Sequence, residues 1–167
     1  MAEFMMKKMV ADSGISDRFE IASAAVSAEE LGNPVYPPAR RLLQSAGIDC
    51  SGKYARQMSK RDYAYFDYLI CMDNSNMRNM QRICGGDPES KMYRLLDFTD
   101  SPGEVADPWY SGNFDATWHD LERGITACGQ RVTPDNAMDS NDSGASMSLT
   151  EAIFSLKSAA KSAATAP

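Results

Sequence analysis

The sequence has a single histidine, His119, and only four cysteines, Cys50, Cys71, Cys84 and Cys128, no two of them in a C-x-x-C pair. A zinc site needs closely spaced Cys and His ligands, so no metal is expected. There is no surplus of positive charge: 17 Lys and Arg stand against 23 Asp and Glu, a net charge of −6. That balance disfavours non-specific nucleic-acid binding. An anionic ligand therefore needs a local pocket of backbone N–H groups or a few arginines. No apolar run approaches the roughly 20 residues of a membrane helix. The first residues, M-A-E-F-M-M-K-K-M-V, lack the basic-then-apolar layout of a secretory signal. A cytoplasmic protein with free thiols, no membrane partner and no cofactor is the expectation.

The 167 residues suffice for one domain. Ala2, Met5, Met6, Met9 and Val10 fall at helical spacing, and Gly14 suits the end of a helix over Met1–Ser13. The chain thus opens inside a helix, with no capping residue before it. Phe19–Ala24 alternates like a strand. Pro37-Pro38 opens a helix through Leu42 and Leu43 that Gly47 closes. Ser59 and Asp62 have capping-box spacing before a short helix over Tyr63–Phe66. Asp67–Met72 is apolar without alternation, as a buried parallel strand is. Asp73 or Asn74 caps a helix whose Met77, Met80, Ile83 and Cys84 share a face, ended by Gly85-Gly86. Met92–Phe98 is a further strand. Asp115 caps a long helix on which Phe114, Trp118, Leu121, Ile125 and Cys128 form a stripe. Strands alternating with helices predict an α/β fold with a parallel sheet. The domain is expected over residues 1–132. Residues 133–167 turn Ser-, Asn-, Asp- and Ala-rich and are expected to be a flexible tail, with a weak helix from Ser148 carrying Leu149, Ile153, Leu156 and Ala160.

The chemistry sits in Asp107-Pro108-Trp109-Tyr110, in the Pro- and Gly-rich segment before the long helix. A carboxylate beside two large aromatics can protonate a flat aromatic leaving group while the rings exclude water. A turn whose aromatics fold back on the core is the plain alternative. His119, with no partner in sequence, reads as a helix-surface residue. Cys71, Cys84 and Cys128 read as core thiols.

Several segments, in order, resemble the low-molecular-weight protein tyrosine phosphatases: S-A-A-V at Ser23–Val26, G-N-P at Gly32–Pro34, A-R-Q-M at Ala55–Met58, F-D-Y-L-I-C-M-D-N-S-N at Phe66–Asn76 and D-P-W-Y at Asp107–Tyr110. The resemblance covers about Met1 to Arg131. It implies a three-layer α/β domain with a four-stranded parallel sheet and helices on both faces. It implies that a cysteine thiolate, in a C-x5-R-S/T loop between the first strand and first helix, attacks phosphotyrosine. Backbone N–H groups and the helix N-terminus would hold the phosphate, and an arginine would grip it. The resemblance makes Asp107 the general acid, then the base that activates water against phosphocysteine. It makes Trp109 and Tyr110 the wall against the tyrosyl ring, with Ser23, Asn33 and Asp73 supporting the phosphate loop. The substrate class is a phosphotyrosine protein or aryl phosphate.

The first strand, the loop, the nucleophile and the arginine of that pattern have no counterpart here, because M-A-E of the first helix coincides with Met1. The chain as written is therefore expected to be a truncated, inactive form. In the family the absent strand is internal, so its two neighbours must find other partners for their backbone groups. Cys50 to Arg56 also reads C-x5-R, but no apolar strand precedes it, Gln57 follows the arginine, and A-R-Q matches another family segment. A catalytically dead phosphotyrosine-binding module is the alternative. Arginine-phosphatase or arsenate chemistry fits less well, since the aromatic pair suits a tyrosyl group.

Overall fold

The computed structural model describes residues 1–108, 112–132 and 152–155, the last four by their backbone alone. Helix α1 spans Ala2–Asp12 and buries Ala2, Met5, Met6 and Val10, the apolar stripe of the sequence, together with Glu3. Strand β1 is Ile21–Ala24, two residues shorter at its start than the alternation suggests. Helix α2, Pro37–Ser45, begins on its two prolines. It ends where Gly47, at φ +70°, takes a left-handed turn that lets the Ile48 N–H reach the Leu43 carbonyl at 2.8 Å. Helix α3, Lys60–Tyr65, starts one half of a capping box: the Ser59 N–H donates to the Asp62 carboxylate at 2.7 Å.

Strand β2 is Tyr68–Cys71 and helix α4 is Asn74–Cys84. The cap of α4 is Asp73, whose Oδ1 accepts from the Asn76 N–H at 2.6 Å. Met80 is fully buried and Met77, Ile83 and Cys84 pack beside it. Strand β3 is only Met92–Arg94. The expected strand over Met92–Phe98 breaks because Arg94 grips Asp97 at 2.7 Å and folds Leu95–Phe98 into a 3-10 turn. Helix α5, Phe114–Val132, buries Leu121, Ile125 and Cys128. Its capping oxygen is that of Asn113, which accepts the Ala116 N–H at 3.0 Å, rather than Asp115. Strand β4 is Ala152–Ser155.

The pairings between these four strands are parallel, and the strand order is β1-β4-β2-β3. Two expectations are corrected here. The place between β1 and β2, expected to be left without a strand, is taken by β4 from the far end of the chain: Ala152 lies opposite Ile21 on one side and Tyr68 on the other. And Ile153, expected on a weak helix, is in that strand. Two ladders satisfy its backbone, and A-I-F-S has the β-branched and aromatic content that suits a strand.

Side chains of β2 alternate between two cores. Leu69 and Cys71 join Phe66, Met80 and Met92 on the α3–α4 face. Ile70 joins Met6, Leu96, Leu121 and Ile125 on the α1–α5 face. Helices therefore cover both faces of the sheet, as parallel strands require.

Candidate active site

A cleft of about 540 Å³ opens at the carboxyl end of β1 and the first turn of α1. Open α/β sheets place ligands at that end of their strands. Ser23 and Asn33 line it together with Asp107, which arrives from the segment before α5.

Asp107 is half-buried, and its neighbour fixes it. The Ala106 N–H donates to Asp120 Oδ2 at 3.0 Å, and the Ala106 carbonyl accepts from the Thr117 hydroxyl at 2.7 Å. Both partners are on α5, so the helix holds the residue immediately before Asp107 by its N–H and its carbonyl. One residue earlier, the Val105 N–H is bound by the Met72 carbonyl at 3.0 Å, which ties the same segment to the end of β2.

The opposite wall is a small zipped structure. The Ala25 N–H donates to the Arg56 carbonyl at 2.8 Å, and the Ala55 N–H donates to the Asn33 carbonyl at 2.9 Å. Asn33 itself is exposed and its side-chain amide donates to Glu30 at 2.6 Å.

Glu3 sits at the base of the cleft, 3% exposed. Its Oε2 accepts from the Ser23 hydroxyl at 2.5 Å and from Lys53 Nζ at 2.6 Å, and its Oε1 takes Lys7 Nζ at 2.6 Å. Burial alone would raise its pKa, but the hydrogen bonds from Lys53, Lys7 and Ser23 outweigh it and hold the carboxyl below its ordinary 4.5. Arg56 also lines the cleft and pairs with Asp62 at 2.8 Å. At the mouth, Tyr36 and Phe114 stack with ring centroids 6.1 Å apart, making an apolar wall for a flat group.

Of the residues singled out in the sequence, the cleft brings together Ser23, Asn33 and Asp107. Asp73 caps α4 and does not line the cleft. Trp109 and Tyr110 lie outside the described residues. His119 is exposed on α5. Glu3, Lys53, Tyr36 and Phe114 were not singled out. Glu3 had a signal: it shares the apolar face of α1 with Met6 and Val10, where a charge is anomalous.

No cysteine occupies the cleft lining. Burial, with Asp73 nearby, pushes the Cys71 thiol up to about 12, and burial does the same to Cys128. Such thiols stay protonated at neutral pH and are poor nucleophiles. Cys50 is buried, 4% exposed.

A family model described as low molecular weight phosphotyrosine protein phosphatase matches residues 1–137. The low molecular weight protein-tyrosine-phosphatase YfkJ of Bacillus subtilis is 33% identical over 117 residues, covering 69% of this chain and 75% of that one. The low molecular weight phosphotyrosine protein phosphatase of Homo sapiens is 36% identical over 117 residues, covering 68% and 73%. The crystal structure of YfkJ superposes with a TM-score of 0.76 at 29% identity, over 81% of this chain and 86% of that chain. SP-PTP of Streptococcus pyogenes, a low molecular weight protein tyrosine phosphatase, gives 0.71 at 30% identity, over 84% and 89%. From segment order, cleft position and these matches together, the chain belongs to the low molecular weight phosphotyrosine protein phosphatase family.

Proposed function

We propose that the cleft is a phosphotyrosine site, in which Asp107 protonates the tyrosyl oxygen as it leaves and then activates water against a phosphocysteine. The observation that carries this is the convergence of Ser23, Asn33 and Asp107 on one cleft at the first turn of α1. The apolar Tyr36–Phe114 pair at the mouth suits an aromatic ring, and binding that ring is the role we assign to Trp109 and Tyr110 as well. The relatives' names give the substrate class.

The nucleophile has to lie ahead of α1, and these 167 residues place no cysteine there. By themselves they carry the general acid and the leaving-group wall without the thiolate, and do not turn over. Pure binding is disfavoured on charge. The basic side chains among the described residues of the lining, Lys53 and Arg56, are each paired with a carboxylate, at 2.6 and 2.8 Å.

The test is hydrolysis of a phosphotyrosine peptide by the 167-residue protein and by a form carrying the family's first strand and C-x5-R loop ahead of Met1. The first is expected to be inert and the second active. In the active form, Asp107→Asn should lower kcat by about 10²–10⁴ on an aryl phosphate with a poor leaving group. Unchanged turnover would remove Asp107 from the chemistry. Saturable phosphotyrosine binding by the 167-residue protein, without hydrolysis, would make it a binding module instead.

A further inference from the structure

The segment that leads to Asp107 is held residue by residue. Glu104 Oε1 accepts from the Asn74 N–H at 3.0 Å, which ties it to the first residue of α4. The Val105 N–H then goes to the Met72 carbonyl, and Ala106 goes to Asp120 and Thr117. Sheet and α4 thus fix one side of the segment, and α5 fixes the other.

Asp120 does nothing for its own helix. The cap of α5 is Asn113, and Asp120 lies in the second turn, where the charge of a helix N-terminus has faded. Its two oxygens are used elsewhere. Oδ2 takes the Ala106 N–H at 3.0 Å, and Oδ1 takes Arg123 Nε at 3.1 Å. Arg123 in turn reaches the turn where the segment begins, donating to the Ser101 carbonyl at 3.3 Å and to Thr99 Oγ1 at 3.4 Å. The side chains of Asp120 and Arg123 are 19% and 34% exposed. The pair therefore lies between helix and segment, and its charge-assisted bonds tie both ends of residues 99–106 to α5.

We propose that Asp120 and Arg123 are positioning residues for the general acid, a role that rests on Asp107 being that acid. Asp120 fixes the Ala106 peptide, one Cα step of about 3.8 Å from Asp107. Arg123 fixes Asp120 against the 99–101 turn. The proton transfer itself stays with Asp107, which has to come within about 2.6–3.2 Å of the leaving oxygen. A displacement of about 1 Å at that distance costs up to about 10²-fold in rate.

Two measurements test this. On the 167-residue protein, Asp120→Ala should speed amide hydrogen exchange at Ala106 by roughly tenfold or more. Asp120→Asn, which keeps an acceptor oxygen, should restore part of the protection. Unchanged exchange at Ala106 in Asp120→Ala would overturn the proposal.

The second measurement uses the form carrying the family's first strand and C-x5-R loop. It compares kcat/KM for phenyl phosphate, whose leaving oxygen needs a proton, with kcat/KM for p-nitrophenyl phosphate, which needs one much less. Asp120→Ala should lower the first by about tenfold to 10²-fold and the second far less. Arg123→Met should act in the same direction, more weakly, and Asp120→Asn should fall between Asp120→Ala and the parent. Glu122→Ala, exposed on the same helix, should change neither. Partial unfolding lowers both substrates alike, so an equal fall would mean a structural tie only and overturn the proposal. In an Asp107→Asn background, Asp120→Ala should add nothing to the loss on phenyl phosphate, and a full additive loss would also overturn it. Should Asp107→Asn alone spare phenyl phosphate, the acid assignment itself fails and takes this proposal with it.

Discussion

The Ser23 hydroxyl donates to Glu3 Oε2 at 2.5 Å, and this one bond joins the end of β1 to the first turn of α1. Lys53 shares the same oxygen, so the carboxylate collects a strand, a helix and a loop. Glu3→Gln keeps the shape and removes the charge, leaving Lys53 at 25% side-chain exposure without its counter-ion. Discounting for the exposure of Lys7 and Lys53, a destabilisation of about 1–3 kcal/mol is expected in urea unfolding. A loss below about 0.5 kcal/mol would mean that solvent, not Glu3, holds the cations.

Acid should act through the same residue. Glu3 is held below 4.5, and Asp62 below 3.8, where burial is outweighed by the hydrogen bonds from Arg56 and Ser59. As pH falls the unfolded chain takes up these protons first. The stabilisation is therefore complete above about pH 5 and is lost as pH drops through the folded-state values. The gap in unfolding midpoint between the parent and Glu3→Gln should be wide at about pH 7 and narrow at about pH 3. A gap that widened towards acid would reverse the sign of the assignment.

The thiols should divide by burial. At about pH 8 a disulfide reagent should leave Cys71 and Cys128 unmodified in the folded protein and label all four cysteines once it is unfolded. Cys84 is half-buried and should react first, slowly, because burial also raises its pKa. Rapid labelling of Cys71 in the native protein would contradict its place inside β2.

Two glycines of α5 should respond differently to alanine. At Gly124 a new Cβ meets Leu95 Cγ at 2.6 Å and Leu96 Cδ2 at 3.1 Å, and both leucines are fully buried. Gly124→Ala should cost about 1–2 kcal/mol, overpacking exceeding the gain in helix propensity. At Gly129 the Cβ meets the tip of Met9, a flexible side chain that is only half-buried. Gly129→Ala should be neutral or stabilising by up to about 1 kcal/mol. Chemical denaturation of both variants gives the comparison, and equal losses would show that Met9 cannot yield.

Long periodic elements were legible in the sequence. The stripes of α1, α4 and α5 run over 11, 11 and 19 residues, enough for a 3.6-residue period to declare itself. Asp107 was legible because its D-P-W-Y neighbours carry a recognisable order. Short elements were not. The start of β1 and the end of β3 depend on local grips such as Arg94–Asp97, which no alternation encodes. Strand β4 was hidden for a different reason. Four residues fit a helical or an extended period equally well, and what decides between them is a slot built by residues far away in the chain. The Tyr36–Phe114 stack was hidden likewise, since one ring precedes α2 and the other opens α5, far apart in the chain.

The position of β4 also sets a timetable. A ribosome delivers the chain from its N-terminus, so β1, β2 and β3 all emerge before the segment that unites them. Ile21 waits for Ala152 through nearly the whole of translation. Pairings that distant close slowly, since loop entropy comes first. Until residues 152–155 emerge, the edges of β1 and β2 that pair with them lack that partner.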